Sequence, residues 1–305
     1  MLATLVAASI VLFLVLDILP GDPALVMLGT EAQADTLAAL RRQMGLDQPA
    51  LARYLAWIGG VAVGDFGLSY TWRLPVAGLI LDRMTVTVPL AALAIVISTA
   101  IAIPAGVLAA ASHGRAADWL IIAVCQIGVA VPNFWIGILL VLGVAIGLGW
   151  LPSGGFPGWD AGLSPALAAL ILPSLALALP QAAILARVTR SAVLEVVGED
   201  YIRTARAKGL SRSQALWRHG LRNALIPIVT IIGLQFPVLI AGAILIENVF
   251  ALPGLGRLIF QALGQRDLIV LKDVALLLAG LVIVVNSAID IAYTLIDPRL
   301  RGRLA

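Results

Sequence analysis

Charged residues are scarce in this sequence. They make up 12% of its 305 residues, whereas 61% are hydrophobic and the mean hydropathy is +1.04. A soluble domain is about one quarter charged and about half apolar. The scarcity of charge therefore excludes an ordinary soluble protein and indicates a membrane protein. The net charge of +3 does not indicate nucleic-acid binding, because the basic inner loops of a polytopic membrane protein give the same balance.

Residues that carry catalysis or bind metals are also few. The single cysteine, Cys125, lies in an apolar run, which excludes an internal disulfide and a cysteine metal site and predicts a small core residue. His113 and His219 are far apart, and neither belongs to an H-E-x-x-H motif. The phosphate-binding pattern G-x-x-x-x-G-K-[ST] does not occur. Any work driven by ATP must therefore come from another chain, and no cofactor is expected.

Apolar runs dominate what is present. Six of them are long enough to cross a hydrocarbon core about 30 Å thick at about 1.5 Å per residue, namely residues 2–19, 86–111, 119–148, 165–186, 224–246 and 274–296. The first lacks the basic n-region and the cleavage site of a signal peptide. Pro132 predicts a kink in the third span. A kink-stabilising amide is the simpler role for Asn133; lining a transport pathway is the alternative, and Gln235 in the fifth span is a second candidate for that role.

Residues 20–84 form a mixed segment between the first two spans. Residues 36–44 have helical character, residues 45–49 indicate a break, and residues 50–63 predict a second helix. That second helix is too short to cross a membrane. We therefore expect residues 20–84 to form an extracytoplasmic cap that lies against the membrane.

One long polar segment, residues 187–222, separates two apolar spans. Each of its basic residues would cost about 2.5–3.5 kcal/mol in hydrocarbon, so the segment is expected to lie in water. These residues are Arg187, Arg190, Arg203, Arg206, Lys208, Arg212, Arg218 and Arg222.

Local signals predict the shape of this segment. Glu199 and Asp200 suit the first turn of a helix, basic residues at 203–208 suit its last turn, and Gly209 suits its end. These signals predict a helix of two to three turns. Ser211 and Gln214 fit a capping box, which predicts that a second helix begins almost at once and runs toward the apolar residues after 222.

The run GEDYIRTARAKGL, followed by Ile226-Pro227, resembles the cytoplasmic "EAA" loop of ABC importer permeases. The phrases GLDQPALARYL and GDFGLSY, and the E-x-x-F-x-x-P-G-L-G pattern at 247–256, are similar to the B-type transmembrane subunit of dipeptide, oligopeptide and nickel importers. Where the wider family has Glu-Ala-Ala, this chain has Arg203-Thr204-Ala205, as the peptide branch commonly does. The related permeases usually carry a few more residues before the first span, so we expect that the native start lies upstream of Met1 or that the cytoplasmic flank was lost.

The resemblance implies an all-α polytopic membrane protein with the type I ABC importer transmembrane fold. That fold has six transmembrane helices, a long extracytoplasmic first loop, a transmembrane domain that corresponds to residues 85–296, and a cytoplasmic tail that corresponds to residues 297–305. In the family, the short helix docks into a separate ATPase subunit and is called the coupling helix. The coupling residues implied here are Glu199, Asp200, Tyr201, Arg203, Thr204, Ala205, Arg206, Ala207, Lys208 and Gly209.

The resemblance also implies partners. One permease chain forms half of the pathway and pairs with a related but distinct second permease, while a solute-binding protein outside the membrane delivers the solute. The branch imports di- and oligopeptides, nickel, glutathione or sugars, and we expect di- or oligopeptides here. The chain itself is expected to be a transporter subunit in the lipid bilayer and not an enzyme.

The distribution of basic residues predicts the orientation. The loops after the second and fourth spans and the tail hold twelve basic residues, against three in the short loops on the other side. This asymmetry places both termini and the central loop in the cytoplasm, and the resemblance implies that the membrane is the bacterial inner membrane. From residue types alone, two alternatives stay open. The basic segment could merely contact anionic lipid headgroups, or the chain could be a stand-alone secondary carrier or intramembrane enzyme, although the middles of the spans carry few ionisable groups for such chemistry.

Overall fold

The computed structural model describes residues 1–18, 22–28, 33–215, 218 and 221–296. This part is mostly helical, and its one β pairing is an isolated bridge between Leu68 and Pro75. The helices α1–α13 are Leu2–Ile18, Pro23–Leu28, Ala34–Gln43, Ala50–Ala62, Val76–Ala111, Ala116–Ala130, Asn133–Leu140, Leu163–Val197, Asp200–Ala207, Arg212–Ala215, Leu221–Val249, Leu255–Gly264 and Leu268–Ile296. A π-helical stretch, Val141–Gly147, follows α7, and a 3₁₀ turn, Trp159–Ala161, precedes α8.

Four helices in the described part are long and apolar enough to cross a membrane: α5, α8, α11 and α13. They contain the predicted second, fourth, fifth and sixth spans. Helix α1, the predicted first span, is apolar but has only 17 residues. The two helices predicted within residues 20–84 are confirmed as α3 and α4, with a break between them.

The predicted third span is not one continuous helix. Helix α6 and the α7–π segment meet at an angle of 100°, and a continuous span is obtained only if this bent pair is counted as one. The break in the helix has a local cause. Pro132 has no N–H to donate to the helical hydrogen bonds, and Val131 before it takes an extended conformation with φ −90° and ψ 124°. Sequence reasoning placed the kink correctly but missed that it is a complete break.

The chain divides into two compact units. The first comprises Met1–Thr87 and Pro253–Val284. In it, the rings of Phe13, Tyr54 and Trp57 pack together with centroids 5.4–6.2 Å apart and join α1 to α4. The indole N–H of Trp57 donates to Asp273 Oδ1 at 2.6 Å, which ties α4 to α13. Asp17 and Arg53 form an ion pair between α1 and α4.

Asp267 fixes the loop that precedes α5 in this first unit. Its carboxylate is fully buried and accepts hydrogen bonds from Ser69 Oγ at 2.5 Å and from the Thr71 N–H at 3.0 Å. It also accepts one from the Val270 N–H at the start of α13. The nearby Tyr70 hydroxyl donates to the Met44 carbonyl. Burial, and then the charge of Asp267, raise the pKa of the Tyr70 phenol.

The second unit comprises Val88–Leu252 and Val285–Ala305. Its core is built largely from alanines and other small residues of α5, α6, α8 and α11, and Cys125 is one of them, as predicted. Small side chains let helix backbones approach closely. Gly106 of α5 and Gly128 of α6 mark two such approaches to α8: a methyl group added at Gly106 would lie 2.6 Å from the Ala186 carbonyl oxygen, and one added at Gly128 would lie 3.1 Å from the Ala183 methyl.

Candidate functional site

The short helix predicted in the polar segment is confirmed as α9, Asp200–Ala207. Glu199 stands before it in an extended conformation (φ −72°, ψ 148°), and Asp200 occupies its first turn, where a carboxylate is favoured by the helix dipole. Its eight residues give slightly more than two turns. The Thr204 hydroxyl donates to the Asp200 carbonyl within the helix.

Gly209 ends α9 in the way the sequence predicted. Its φ of +96° lies in the region that favours glycine. The Gly209 N–H donates to the Arg206 carbonyl at 3.0 Å, and the Leu210 N–H donates to the Ala205 carbonyl at 3.3 Å. These two bonds form a Schellman motif, which satisfies carbonyls that a helix end leaves free.

The predicted capping box after α9 is also confirmed. The Gln214 N–H donates to Ser211 Oγ at 3.2 Å, and the Ser211 N–H donates to Gln214 Oε1 at 3.0 Å. Helix α10 begins there and is described over Arg212–Ala215. Much of the predicted continuation, including His219 and the side chains of Arg212 and Arg222, lies outside the described residues.

Helix α9 presents nearly all of its side chains outward. Only Ile202 is buried, with 2% exposed. The Asp200 and Arg203 side chains are 95% and 77% exposed, and their 3.6 Å ion pair contributes little in water. Glu199, Tyr201, Arg206, Ala207 and Lys208 are exposed as well, while Ala205 is half-buried. The result is a charged helix that is capped at its C-terminal end, buries one apolar side chain and exposes its remaining faces.

The polar segment differs from the prediction at its start. Helix α8 does not end near residue 186 but continues to Val197, so Arg187 and Arg190 belong to its last turns. Arg190 is not a freely solvated loop residue, because its side chain is 21% exposed and forms a short ion pair with Asp118, whose side chain is 4% exposed. Its charge is compatible with burial because a carboxylate meets it in a two-bond geometry.

Asp118 lies in the first turn of α6 and collects several donors. Arg190 Nε donates to Asp118 Oδ1 at 2.6 Å, and Arg190 Nη2 donates to Oδ2 at 2.7 Å. The Gly114 N–H donates to Oδ2 at 3.0 Å, and His113 Nδ1 lies 3.1 Å from the same oxygen. A second bond between the same two helices joins Arg187 Nη1 to Gln126 Oε1 at 2.7 Å. We call Asp118, Arg190, Gly114 and His113 the α6–α8 joint.

Sequence reasoning missed the α6–α8 joint. Its only local signal was an aspartate in the first turn of an apolar helix, directly after a turn that contains Gly114 with φ +76°. The partner arginine is 72 residues away. It lies among other basic residues of the polar segment, so nothing in the sequence distinguishes it as the partner of Asp118.

A cavity of about 260 Å³ lies at the break between α6 and α7. Its polar lining comes from Asn133 and Gln181, and the rest is mainly aliphatic side chains of α6, α8 and α11. Asn133 is half-buried at the start of α7, and its side-chain nitrogen lies close to Gly242, where an added methyl group would be 2.6 Å away. The structure thus places one of the two suggested pathway residues at a cavity beside a broken helix.

Gln235, the other suggested pathway residue, is buried. Its Nε2 donates to the backbone carbonyl of Gln181 at 2.8 Å, so it links α11 to α8. The Gln235 side chain does not line the 260 Å³ cavity, but Gln181, whose carbonyl accepts its hydrogen bond, does.

Comparison with known families gives two matches on this chain. Residues 102–302 match the model of the "binding-protein-dependent transport system inner membrane component", and residues 1–91 match the model of the N-terminal region of such membrane components. Together they cover most of the sequence, including the α6–α8 joint and α9.

Individual proteins are similar over nearly the whole length. A probable peptide ABC transporter permease protein of Sinorhizobium fredii is 40% identical over 98% of this chain and 96% of its own. The glutathione transport system permease protein of Escherichia coli K12 is 40% identical over 99% and 96%. A solved inward-facing structure of the MetNI methionine ABC transporter matches 72% of this chain and 96% of its own, with a TM-score of 0.59 and 21% identity. That last likeness is one of fold.

Proposed function

Because the chain belongs to the family of binding-protein-dependent transport system inner membrane components, the permease subunits of ABC importers, we propose that α9 is the helix which a separate ATPase subunit grips. The chain is a permease subunit of such an importer and not an enzyme, and the ATPase activity of these transporters lies in separate subunits. The proposal rests on the form of α9. This helix is exposed, is capped at its C-terminal end and has one buried residue, Ile202.

The coupling role is assigned to residues 199–209. A helix that transmits force must keep its shape while a partner moves it, and the Schellman motif at Gly209 with the capping box at Ser211 holds both sides of the turn after α9. Asp200, Arg203, Arg206 and Lys208 give the exposed surface both signs of charge, which suits recognition of one partner in one orientation. A site that merely contacted anionic lipid would need only the cations.

The transport pathway is proposed to pass the break between α6 and α7. Membrane transporters place solute sites at broken helices, where backbone groups are free to face a cavity. Asn133 and Gln181 supply amide donors and acceptors to the 260 Å³ cavity at this break, and Gln235 would act by holding the Gln181 carbonyl. Amides suit a solute rich in peptide groups. We therefore propose di- or oligopeptides as the solute class, in line with the peptide and glutathione permeases that the chain is similar to.

The chain is a multi-pass membrane protein, and its arrangement in the bilayer is proposed as follows. Helix α1, α5, the bent α6–α7 pair, α8, α11 and α13 make six spans, with residues 20–84 as a cap outside the bacterial inner membrane. Both termini and α9 face the cytoplasm, because the basic loops favour that side. The family works with ATPase subunits, a second permease and a solute-binding protein; for this chain we propose a heterodimer with a distinct second permease.

The double substitution Asp200→Ala with Arg206→Ala is expected to abolish most ATP-dependent uptake while the protein stays inserted. Both side chains are exposed, so their removal should cost little stability, but two charged contacts to the ATPase would be lost. Uptake of labelled dipeptide into vesicles that contain the full transporter should fall about tenfold or more.

A matched control is available in the cap. Helix α3 also carries an exposed aspartate in its first turn and an exposed arginine in its last, and Asp35→Ala with Arg42→Ala should leave uptake unchanged. Normal uptake by the α9 variant would contradict the coupling role. An equal loss of uptake in both variants would indicate that the loss comes from impaired folding and not from lost coupling.

The orientation can be tested with single thiols, because Cys125 is the chain's one cysteine. In a Cys125→Ala background, Lys208→Cys should react with a membrane-impermeant maleimide only after the cells are opened. Asp160→Cys, in the exposed loop before α8, should react in intact spheroplasts. Reaction at position 208 from outside would contradict the proposed topology.

A further inference from the structure

The geometry of the α6–α8 joint sets the relative position of the two helices as well as pairing two opposite charges. The planar guanidinium of Arg190 meets Asp118 through two bonds, at 2.6 and 2.7 Å, and the Gly114 N–H holds the same carboxylate from the turn after α5. Two parallel bonds define both a distance and an angle between their helices, which a single point charge does not. The joint therefore sets the register of α8 against the beginning of α6.

The joint lies between α9 and the rest of the second unit. Arg190 is seven residues before the end of α8, and α9 follows after Gly198 and Glu199. Around the joint the helices are closely packed: Gly106 brings α5 against the backbone of α8, and Arg187 bonds to Gln126. A displacement of α9 thus reaches α8 at a point where α8 is fastened to its neighbours.

Helix α6 runs from the joint to the cavity. Asp118 is at one end, and the break at Val131 and Pro132 is at the other. The 15 residues of α6 span about 22 Å at about 1.5 Å per residue. A straight helix without an internal proline is stiff, so a rotation of its first turn moves its last turn as well. The α6–α7 break, with Asn133 beside it, is the place where such a rotation can change the cavity.

We propose that Asp118 and Arg190 are positioning residues of the transport cycle: their ion pair passes the displacement of α9 on to α6 and so to the cavity at the α6–α7 break. The inference rests on the coupling role proposed for α9. Neither residue touches the ATPase or the solute in this scheme. Each acts by holding two helices in one register.

Stability alone does not account for the pair. A largely buried ion pair can be replaced by apolar residues of similar size with little or no loss of stability. What apolar residues cannot reproduce is the two-bond geometry, because apolar burial is non-directional whereas two parallel hydrogen bonds set an angle.

The test replaces both partners at once, so that no buried charge is left alone. In vesicles that hold the full transporter, Asp118→Leu with Arg190→Met should fold, assemble and hydrolyse ATP within about twofold of the wild-type rate, while solute taken up per ATP hydrolysed falls about tenfold. Asp17→Leu with Arg53→Met removes an ion pair in the first unit whose arginine is similarly exposed, 24% against 21%, and should leave that ratio unchanged. A wild-type ratio in the first variant would overturn the inference.

A second measurement does not depend on transport. Spin labels at two exposed positions, Leu120→Cys in α6 and Glu195→Cys near the end of α8, in a Cys125→Ala background, should give a narrow distance distribution in the assembled complex. The same labels should give a clearly broader one when Asp118 and Arg190 are replaced. An unchanged distance distribution would overturn the inference. If instead the wild-type transporter showed no ATP-dependent uptake, the proposed function would be contradicted, and the label distances alone would test the role of the α6–α8 joint.

Discussion

Gly209→Val is expected to abolish ATP-dependent uptake while the chain still inserts into the membrane. Gly209 has φ +96° and provides the turn in which its own N–H and that of Leu210 bond to the last carbonyls of α9. The left-handed conformation costs an ordinary residue about 1–2 kcal/mol, and it costs a β-branched residue more. The last turn of α9 should open, and uptake into vesicles should fall about tenfold or more, since about 1.4 kcal/mol corresponds to a factor of ten.

Two variants separate the coupling effect from backbone strain. Gly45 also has a positive φ, +66°, and open space around it, but it ends α3 in the first unit. Its N–H donates to the Arg42 carbonyl and the Leu46 N–H donates to the Arg41 carbonyl, the same pair of bonds as at the end of α9. Gly45→Val should therefore incur a similar strain without the loss of uptake. Gly209→Asn should retain much more uptake than Gly209→Val, because asparagine enters the left-handed region more readily. Full uptake by Gly209→Val, or equal loss at positions 45 and 209, would show that the shape of the turn after α9 is not what transport requires.

Gly106→Leu is expected to prevent α5 from packing against α8. Even a methyl group at this position would lie 2.6 Å from the Ala186 carbonyl oxygen and from Thr189 Cβ. The first of these is backbone, which cannot rotate away. Overpacking of a tight core costs about 1–3 kcal/mol, and a leucine against backbone should reach or exceed the upper end of that range. The measurement is the fraction of purified protein that elutes as a single folded species in detergent, together with its thermal unfolding midpoint.

The same helix offers a matched control. Gly78 is exposed near the start of α5, has no neighbour within 4 Å of an added methyl group, and has no unusual φ. Gly78→Leu should leave folding unchanged or improve it slightly, because leucine is the better helix former by somewhat less than about 1 kcal/mol. If Gly106→Leu folded as well as Gly78→Leu, the close approach of α5 and α8 would not be a requirement of the fold.

The candidate coupling helix was predictable because its signals are local. Asp200 in the first turn of α9, the glycine after the helix and the pair Ser211–Gln214 act on backbone groups within a few residues of themselves. The same holds for the kink at Pro132, which is set by the missing N–H of that residue. The sequence could not give the 100° angle between α6 and α7, because that angle depends on what the two halves pack against.

The α6–α8 joint and the close approaches of α8 were beyond sequence reasoning. Asp118 and Arg190 are separated by 72 residues, and each by itself resembles a residue of a cytoplasmic loop. Gly106 stands among other small residues in an apolar run, and nothing nearby in the sequence marks it as the point where two backbones meet. The contact between the Gln235 amide and the Gln181 carbonyl likewise has no local signal, because the two residues are 54 positions apart.

The sequence by itself determined that this is a polytopic membrane protein with a capped, charged helix in its central polar segment, and that the chain carries no phosphate-binding loop of its own. Runs of apolar residues, helix caps and charge asymmetry are sufficient for that, since each depends on residues close together in the chain. Only the tertiary structure decided which helices are fastened to one another and where, because Asp118 and Arg190, or Gly106 and Ala186, meet only when α5, α6 and α8 pack.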